Sequence, residues 1–322
     1  MSHEIETMMS VKLTPWHGLG KILNEAPTAK EAIIQAGLNW EVEKRQLSFK
    51  QSIDGANQIA KDIYAVVRKT DEQYLGSAGK NWEPLQNTEA FKFFDPFIES
   101  GEATFETAGS LNNGKRIWVL AKINRDPIEV VKGDFVEKYI LLSNSHRAGV
   151  SVKGALTPIR VVCANTEAMA FRHKETLTFR STHSKNMSTN LERVQESIAL
   201  ADESFKETAE FYRAFARKSV TEKTLIKYVN TVFDYADVVK TGRETAFKDK
   251  QTETIRRLFE TGRGTDIQGV RGTVWGLYNS VTEFIQHEAG KIEDKRLDSA
   301  WFGAGKNLNM KAFEAAKAMV YA

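Results

Sequence analysis

Thr157-Pro-Ile-Arg-Val-Val-Cys-Ala-Asn-Thr-Glu-Ala-Met-Ala170 is the stretch on which the reading of the fold turns. It passes from an apolar, β-branched run through a short polar turn into residues that favour helix, the pattern of a buried strand feeding a helix. Pro158 suits the first residue of such a strand, and Asn165 or Thr166 suits the cap of the helix that follows. A junction of this kind aims the last strand side chains and the first helical N–H groups at one place, which favours an anion or a reacting atom. His146, Cys163, Asn165 and Thr166 are therefore the candidate junction site.

Upstream of this stretch the chain reads as strands interrupted by short helices. Thr28-Ala-Lys-Glu31 is a capping box for a helix that Gly37 closes, and Trp40 to Phe49 alternates as a strand. Ile63 to Arg68 and Gln73-Tyr-Leu follow as strands. Asn87-Thr88 opens a helix through Phe91 and Phe94, kinked at Pro96 and ended by Gly101. Ala103 to Thr107 and Arg116 to Ile123 form a hairpin around Leu111-Asn-Asn-Gly114. Tyr139 to Ser145 and Ile159 to Cys163 flank a basic loop.

Downstream the pattern changes to helices. Leu191, Val194, Ile198, Ala201, Phe205, Thr208, Tyr212 and Phe215 recur at intervals of three and four, a heptad-like seam that packs on another helix or on a second copy of the chain. Ser219-Val-Thr-Glu222 reads as a capping box for a helix carrying Leu225, Val229, Val232, Ala236 and Val239 on one side. Further helices are expected over Glu244 to Glu260, Thr273 to His287 and Asn309 to Tyr321. The class is α+β: a mainly antiparallel sheet with short helices in the N-terminal half, and a helical C-terminal half. The expected domains are residues 1–185, holding the basic loop region, and 186–322.

Charge is unevenly spread. His146 to Asn186 holds seven basic side chains, Arg147, Lys153, Arg160, Arg172, Lys174, Arg180 and Lys185, against two acids. That local balance of +5 in a chain of total +3 leaves the remainder at −2. With its Ser, Thr and Asn content the segment suits a phosphate-facing surface, the alternative being a solvated region whose charges pair elsewhere in the fold. Cys163 is the only cysteine, so internal disulfides and multi-cysteine zinc sites are excluded and a reducing compartment is expected. No apolar run approaches a membrane span, and Met1 to Val11 lacks the apolar core of a signal peptide. The cytoplasm of the cell that makes it is the expected location.

Other motifs carry less chemistry. Gly109 to Lys115 has the spacing of a phosphate-binding loop, but Arg116 stands where a Ser or Thr would hold magnesium and a strand follows where a helix is required. A hairpin turn explains it better. Cys163 and His146 are residue types for a nucleophile and its base, yet nothing in the sequence brings them together, and a lone cysteine in an apolar strand is ordinarily a core residue. The histidines lack a ligand spacing, so neither a metal nor a cofactor is expected. Gly262 to Gly272 sets Arg263 and Arg271 on a glycine-rich loop before Trp275 and Tyr278. Arginine with aromatic neighbours can grip a nucleic-acid strand, but Trp275 reads as core and the roles of the two arginines stay open.

Trp16-His-Gly-Leu-Gly20, Leu85-Gln-Asn87, Thr107-Ala-Gly109 with Gly114, Ser145-His146, Pro158 to Cys163 with Asn165-Thr166, and Gly272-Thr-Val-Trp275 with Tyr278-Asn279 together resemble the phage/plasmid-like protein family of bacteria and bacteriophages. Similar proteins follow the Ser-His pair with Asp-Gly. Arg147-Ala148-Gly149 here puts a base near where they carry an acid, which favours a phosphate contact. The resemblance implies a mobile-element setting and supplies no catalytic set. The expected function is sequence-independent binding of nucleic acid, single-stranded DNA foremost, in phage or plasmid replication or recombination. The rivals are an enzyme acting on a small or nucleotide substrate at the His146, Cys163, Asn165 junction, and a non-catalytic assembly or host-interaction protein that oligomerises through the seam.

Overall fold

A computed structural model of the 322-residue chain describes residues 5–12, 20–50, 52–53, 55–160, 165–166, 178–187, 189, 191, 202–235, 242–289 and 304–321. The protein is α+β, with mostly antiparallel strands and short helices in the N-terminal half and helices in the C-terminal half. It forms two compact units, the first within Met1–Arg125, Tyr139–Leu156 and Glu175–Ala199, the second within Asp126–Lys138, Thr157–Lys174 and Leu200–Ala322. No helix among the described residues is long and apolar enough to cross a membrane.

The first unit holds β1 (Ile5–Val11), β2 (Lys21–Leu23), β6 (Ala103–Leu111), β7 (Arg116–Ile123), the end of β9 (Asp134–Ser145) and the start of β10 (Val152–Arg160), in the order β10-β9-β7-β6-β1-β2. The β1–β2 pair is parallel. The β6–β7 hairpin turns through Asn112, Asn113 and Gly114, all at positive φ, the requirement that makes Asn-Gly a favoured loop. Residues 109–115 thus serve a hairpin and not a nucleotide. Gly109 allows β6 to lie close on β1: a Cβ there would stand 2.4 Å from both the Thr7 carbonyl oxygen and the Trp118 ring.

A separate three-stranded sheet joins β3 (Val42–Lys50), β4 (Asn57–Arg68) and β5 (Tyr74–Gly79). The β3–β4 ladder jumps from Gln46↔Tyr64 to Ser48↔Ile59, a bulge in which Asp62 adopts φ 60°. The Gln46 side-chain amide spans the bulge by donating to the carbonyl oxygens of Ala60 (2.8 Å) and Ile63 (3.2 Å). Beyond it the two strands pair only with each other among the described residues, and Phe49, Ile53 and Ile59 are exposed.

Local signals explain the short helices. α1 (Ala29–Gln35) starts at the expected Thr28–Glu31 capping box, and Gly37 at φ 67° ends it. α2 (Asn87–Lys92) and α3 (Asp95–Glu99) replace the single kinked helix, because Pro96 is accommodated only in the first turn of a new helix. Phe91 and Phe94 pack their rings 5.5 and 5.7 Å from that of Phe105.

Two expectations for the basic region change. β10 begins at Val152, not Ile159, so Lys153 lies in sheet and pairs across to Arg180 of β12 (Thr178–Ser181). Pro158 is inside the strand: β12 pairs residues 152–155 and β11 (Asn165–Thr166) pairs 159–160, and the proline falls in the gap where no N–H is needed on that side. Asn165 and Thr166 are β11 itself and fold back on Ile159 and Arg160, so they are extended residues and not helix caps. Cys163 lies outside the described residues.

In the second unit, β8 (Ile128–Val131) pairs with the start of β9, and the helices among the described residues are α4 (Asp202–Arg217), α5 (Glu222–Val232), α6 (Gly242–Thr261), α7 (Val274–Glu283), which continues as a π-turn over Phe284–Glu288, and α8 (Ala304–Tyr321). α5 is capped by Thr221 with Thr224 rather than by Ser219 with Glu222, because Ser219 is engaged in a bridge to Thr273. Leu225, Val229 and Val232 lie on its buried face, and Ala236 and Val239 lie outside the described residues. Of the seam, Thr208, Tyr212 and Phe215 are buried on α4 and Leu191 is buried in the first unit, while Val194, Ile198 and Ala201 and the Phe205 side chain lie outside the described set. Tyr212, Phe215, Trp275, Tyr278 and Phe313 are all fully buried, and the Tyr212 and Trp275 ring centres are 4.6 Å apart.

Candidate nucleic-acid interface and the polar strap beneath it

Trp82-Glu-Pro-Leu-Gln-Asn87 crosses the first unit without strand partners of its own, so its peptide groups are met mainly by side chains. Lys44 Nζ donates to the Trp82 carbonyl oxygen (2.7 Å), His183 Nδ1 to that of Glu83 (3.0 Å) and Asn144 Nδ2 to that of Leu85 (3.0 Å). The Gln86 amide imitates a strand neighbour for Val42, accepting from its N–H (3.0 Å) and donating to its C=O (2.9 Å). Asn87 Nδ2 donates to the Leu38 and Trp40 carbonyl oxygens, at 3.0 and 3.3 Å.

Those two bonds assign the Asn87 amide, leaving its Oδ1 to accept from His146 Nε2 at 3.0 Å. His146 is wholly buried, with its ring centre 5.2 Å from that of Trp40. Burial first, then the neighbouring charges of His183 and Arg68, push its pKa down to about 3, so the ring is neutral with Nδ1 as a bare lone pair. Burial also lowers His183, against the opposing pull of the Glu83 carbonyl, and its ring stacks 4.8 Å from Trp82. His146 Nδ1, Asn144 Oδ1, His183 Nε2 and Trp82 Nε1 are buried and make no hydrogen bond among the described residues. Ordered water or a small ligand satisfies atoms of this kind.

Arg68 braces the other side of Trp40, its guanidinium carbon 5.1 Å from the ring centre. It binds Asp71 in a two-pronged pair (2.8 and 2.6 Å) and Glu6 at 2.8 Å, and Glu6 in turn accepts from Ser110. Gly114 makes room for it: a Cβ there would stand 2.8 Å from the Arg68 guanidinium. Among the described residues no three of His, Cys, Asp and Glu gather as a metal site.

The strap supports a basic surface. Arg147 follows His146 directly, and its aliphatic stem lies on Gly76 of β5, where an added Cβ would be 3.1 Å from Arg147 Cγ. Lys153 and Arg180 are cross-strand partners, a like-charge pairing that costs stability unless an anion offsets it. Arg147, Arg180 and Lys185 are exposed and hold no carboxylate among the described residues. Elsewhere in this unit Arg45, Arg68 and Arg125 each hold at least one. The Arg160 side chain, Arg172 and Lys174 lie outside the described set.

The protein is thus an α+β protein whose sheet-rich unit carries exposed basic side chains and a buried polar strap. Residues 74–301 match the family described as a domain of unknown function, DUF932, and the chain belongs to that family. No curated protein and no solved structure matches the chain. Leu85-Gln-Asn87, Ser145-His146 and Gly114, which the sequence singles out separately, stand around the same Trp40 and Asn87 core. Sequence reasoning missed Arg68, Trp40, Gln86 as a clamp and the Trp82–His183 stack. Their only signal is that Trp82-Glu-Pro-Leu-Gln-Asn87 follows no strand or helix period.

Proposed function

We propose that the protein binds nucleic acid without sequence preference, single-stranded DNA foremost, and that it serves phage or plasmid replication or recombination. The observation that carries this reading is the absence, among the described residues, of carboxylate partners for exposed Arg147, Arg180 and Lys185, where the unit's other ion-paired arginines are neutralised internally. Such side chains exchange counterions for backbone phosphates, a gain that depends on salt and not on base sequence. Exposed Phe49 and Tyr74 in the same unit supply rings on which unpaired bases stack, which favours the single strand. The mobile-element setting rests on the resemblance to phage/plasmid-like proteins.

Replacing Arg147, Arg180 and Lys185 together with serine is expected to leave the fold intact and to shallow the plot of log affinity against log salt by about 2, roughly 0.7 for each lost single-strand phosphate contact. Fluorescence anisotropy with labelled single- and double-stranded oligonucleotides measures it. A folded variant with wild-type affinity and slope would remove these residues from the interface.

A further inference from the structure

We infer that the second unit carries a phosphate-binding surface of its own, made by Arg217, Lys218 and Arg271, whose ligand is the sugar–phosphate backbone of a nucleic-acid strand. This rests on the reading of the protein as a nucleic-acid binder and adds a second place of contact.

The three residues belong to two connecting segments that lie side by side. Val220 N donates to the Gly272 carbonyl oxygen (2.9 Å) and Val274 N to that of Lys218 (2.8 Å), with Ser219 and Thr273 bridged between them. The segment after α4 and the end of the glycine-rich loop are thereby held as a short antiparallel pair. The loop is a succession of turns, with Thr265 N bonded to the Gly262 oxygen, Ile267 N to Gly264, Val270 N to Ile267 and Thr273 N to Val270. Gly264, Gly269 and Gly272 take the positive φ angles those turns demand. The register sets Lys218 opposite Val274 and Arg271 opposite Thr221, so Arg271 stands on fixed backbone at one end of this short pair and Arg217 and Lys218 at the other.

All three are exposed, and none pairs with a carboxylate among the described residues. The unit's other described arginines differ from Arg217 and Arg271 in this, since Arg213 holds Glu210, Arg256 holds Glu222 and Glu253, Arg257 holds Glu288, and Arg263 lies by Glu283. Three like charges fixed on adjoining backbone repel one another, and an anion reverses that cost. α5 and α7 both start from the same junction, behind caps Thr221 and Thr273, so the positive ends of two helices add to the field. Exposed heads on a flat strand pair suit a run of diesters passing over the surface better than one enclosed phosphate.

The test uses the full chain and a fluorescein-labelled oligothymidylate, with anisotropy read across a salt series. Four proteins are compared: wild type, Arg217→Ser with Lys218→Ser and Arg271→Ser, the serine triple at Arg147, Arg180 and Lys185, and the single Arg271→Gln, the mildest change should the second-unit triple fail to fold. The second-unit triple is expected to shallow the log–log slope by about 2, and Arg271→Gln by about 0.7. Wild-type slope and affinity in folded second-unit variants, with the first-unit triple impaired, would overturn this inference and leave the proposed function standing. Loss in the second-unit variants alone supports it and removes the first-unit surface. A wild-type protein that binds no oligonucleotide overturns both.

Discussion

Trp275→Ala is expected to destabilise the second unit by about 3–5 kcal/mol, the range for truncating a buried large aromatic. Trp275 is fully buried against Tyr212 and Tyr278, so its loss leaves a cavity that rigid neighbouring rings cannot close. It also removes a specific bond, because the indole Nε1 donates to Asp134 Oδ2 at 2.7 Å and that carboxylate is itself wholly buried. Trp275→Phe separates the two effects. It keeps most of the packing and drops the donor, for an expected cost of about 1–3 kcal/mol. Urea unfolding followed by the helical circular-dichroism signal reports mainly on this unit, where the long helices are. A Phe variant as stable as wild type would show that the indole bond contributes nothing.

The stability of the first unit is expected to fall as pH drops below about 6.5. In the unfolded chain His146 titrates near its ordinary value of 6.5, whereas in the folded protein burial holds it at about 3. Below the higher value the unfolded chain takes up a proton that the folded protein refuses, so acid favours unfolding until the folded ring also titrates. At about 1.4 kcal/mol for each tenfold change in proton concentration, the loss is about 2 kcal/mol by pH 5 and about 4 kcal/mol by pH 3. His183, lowered in the same direction, adds to it. The carboxylates of Asp71, Glu31, Glu41 and Glu72 are held below their usual range and titrate later, so the interval from pH 6.5 to 5 belongs to the histidines. His146→Gln retains an N–H for Asn87 and cannot ionise. Its stability relative to wild type should improve by about 2 kcal/mol between pH 7 and pH 5, and parallel pH profiles for the two proteins would refute the assignment.

The readable parts of the chain are those whose causes lie within a few residues. Thr28 and Glu31 cap α1 in place, and the Asn112-Asn113-Gly114 turn closes its hairpin where it stands. Leu225, Val229 and Val232 share a buried face because helix geometry alone aligns them. Ser219 misleads for a tertiary reason: its spacing to Glu222 is right, but the bridge to Thr273 claims it and the helix starts after Thr221. Pro158 misleads similarly, since its tolerance depends on which strand lies alongside. The strap is hardest to foresee. Its ties join Val42 to Gln86, Asn87 to His146 and Glu83 to His183, and no local pattern encodes pairs so far apart. The basic residues were visible as a count, while their lack of partners is a property of the folded surface.

The bulge in the β3–β4 ladder divides one hairpin into two regions of different cooperativity. Below it the strands share a sheet with β5, whereas above it Ser48↔Ile59, Phe49↔Gln58 and Lys50↔Asn57 are the only rungs. An isolated two-stranded ribbon is marginal in water, so its amides should exchange with deuterium through local opening of low free energy, while those of Ala65 to Val67 exchange only with the unit as a whole. The Gln46 amide marks the step between the two regimes by holding the last sheet-side carbonyls in place. Gln46→Ala should therefore carry fast exchange past the bulge toward Tyr64, turning a hinge with a fixed position into a fraying end.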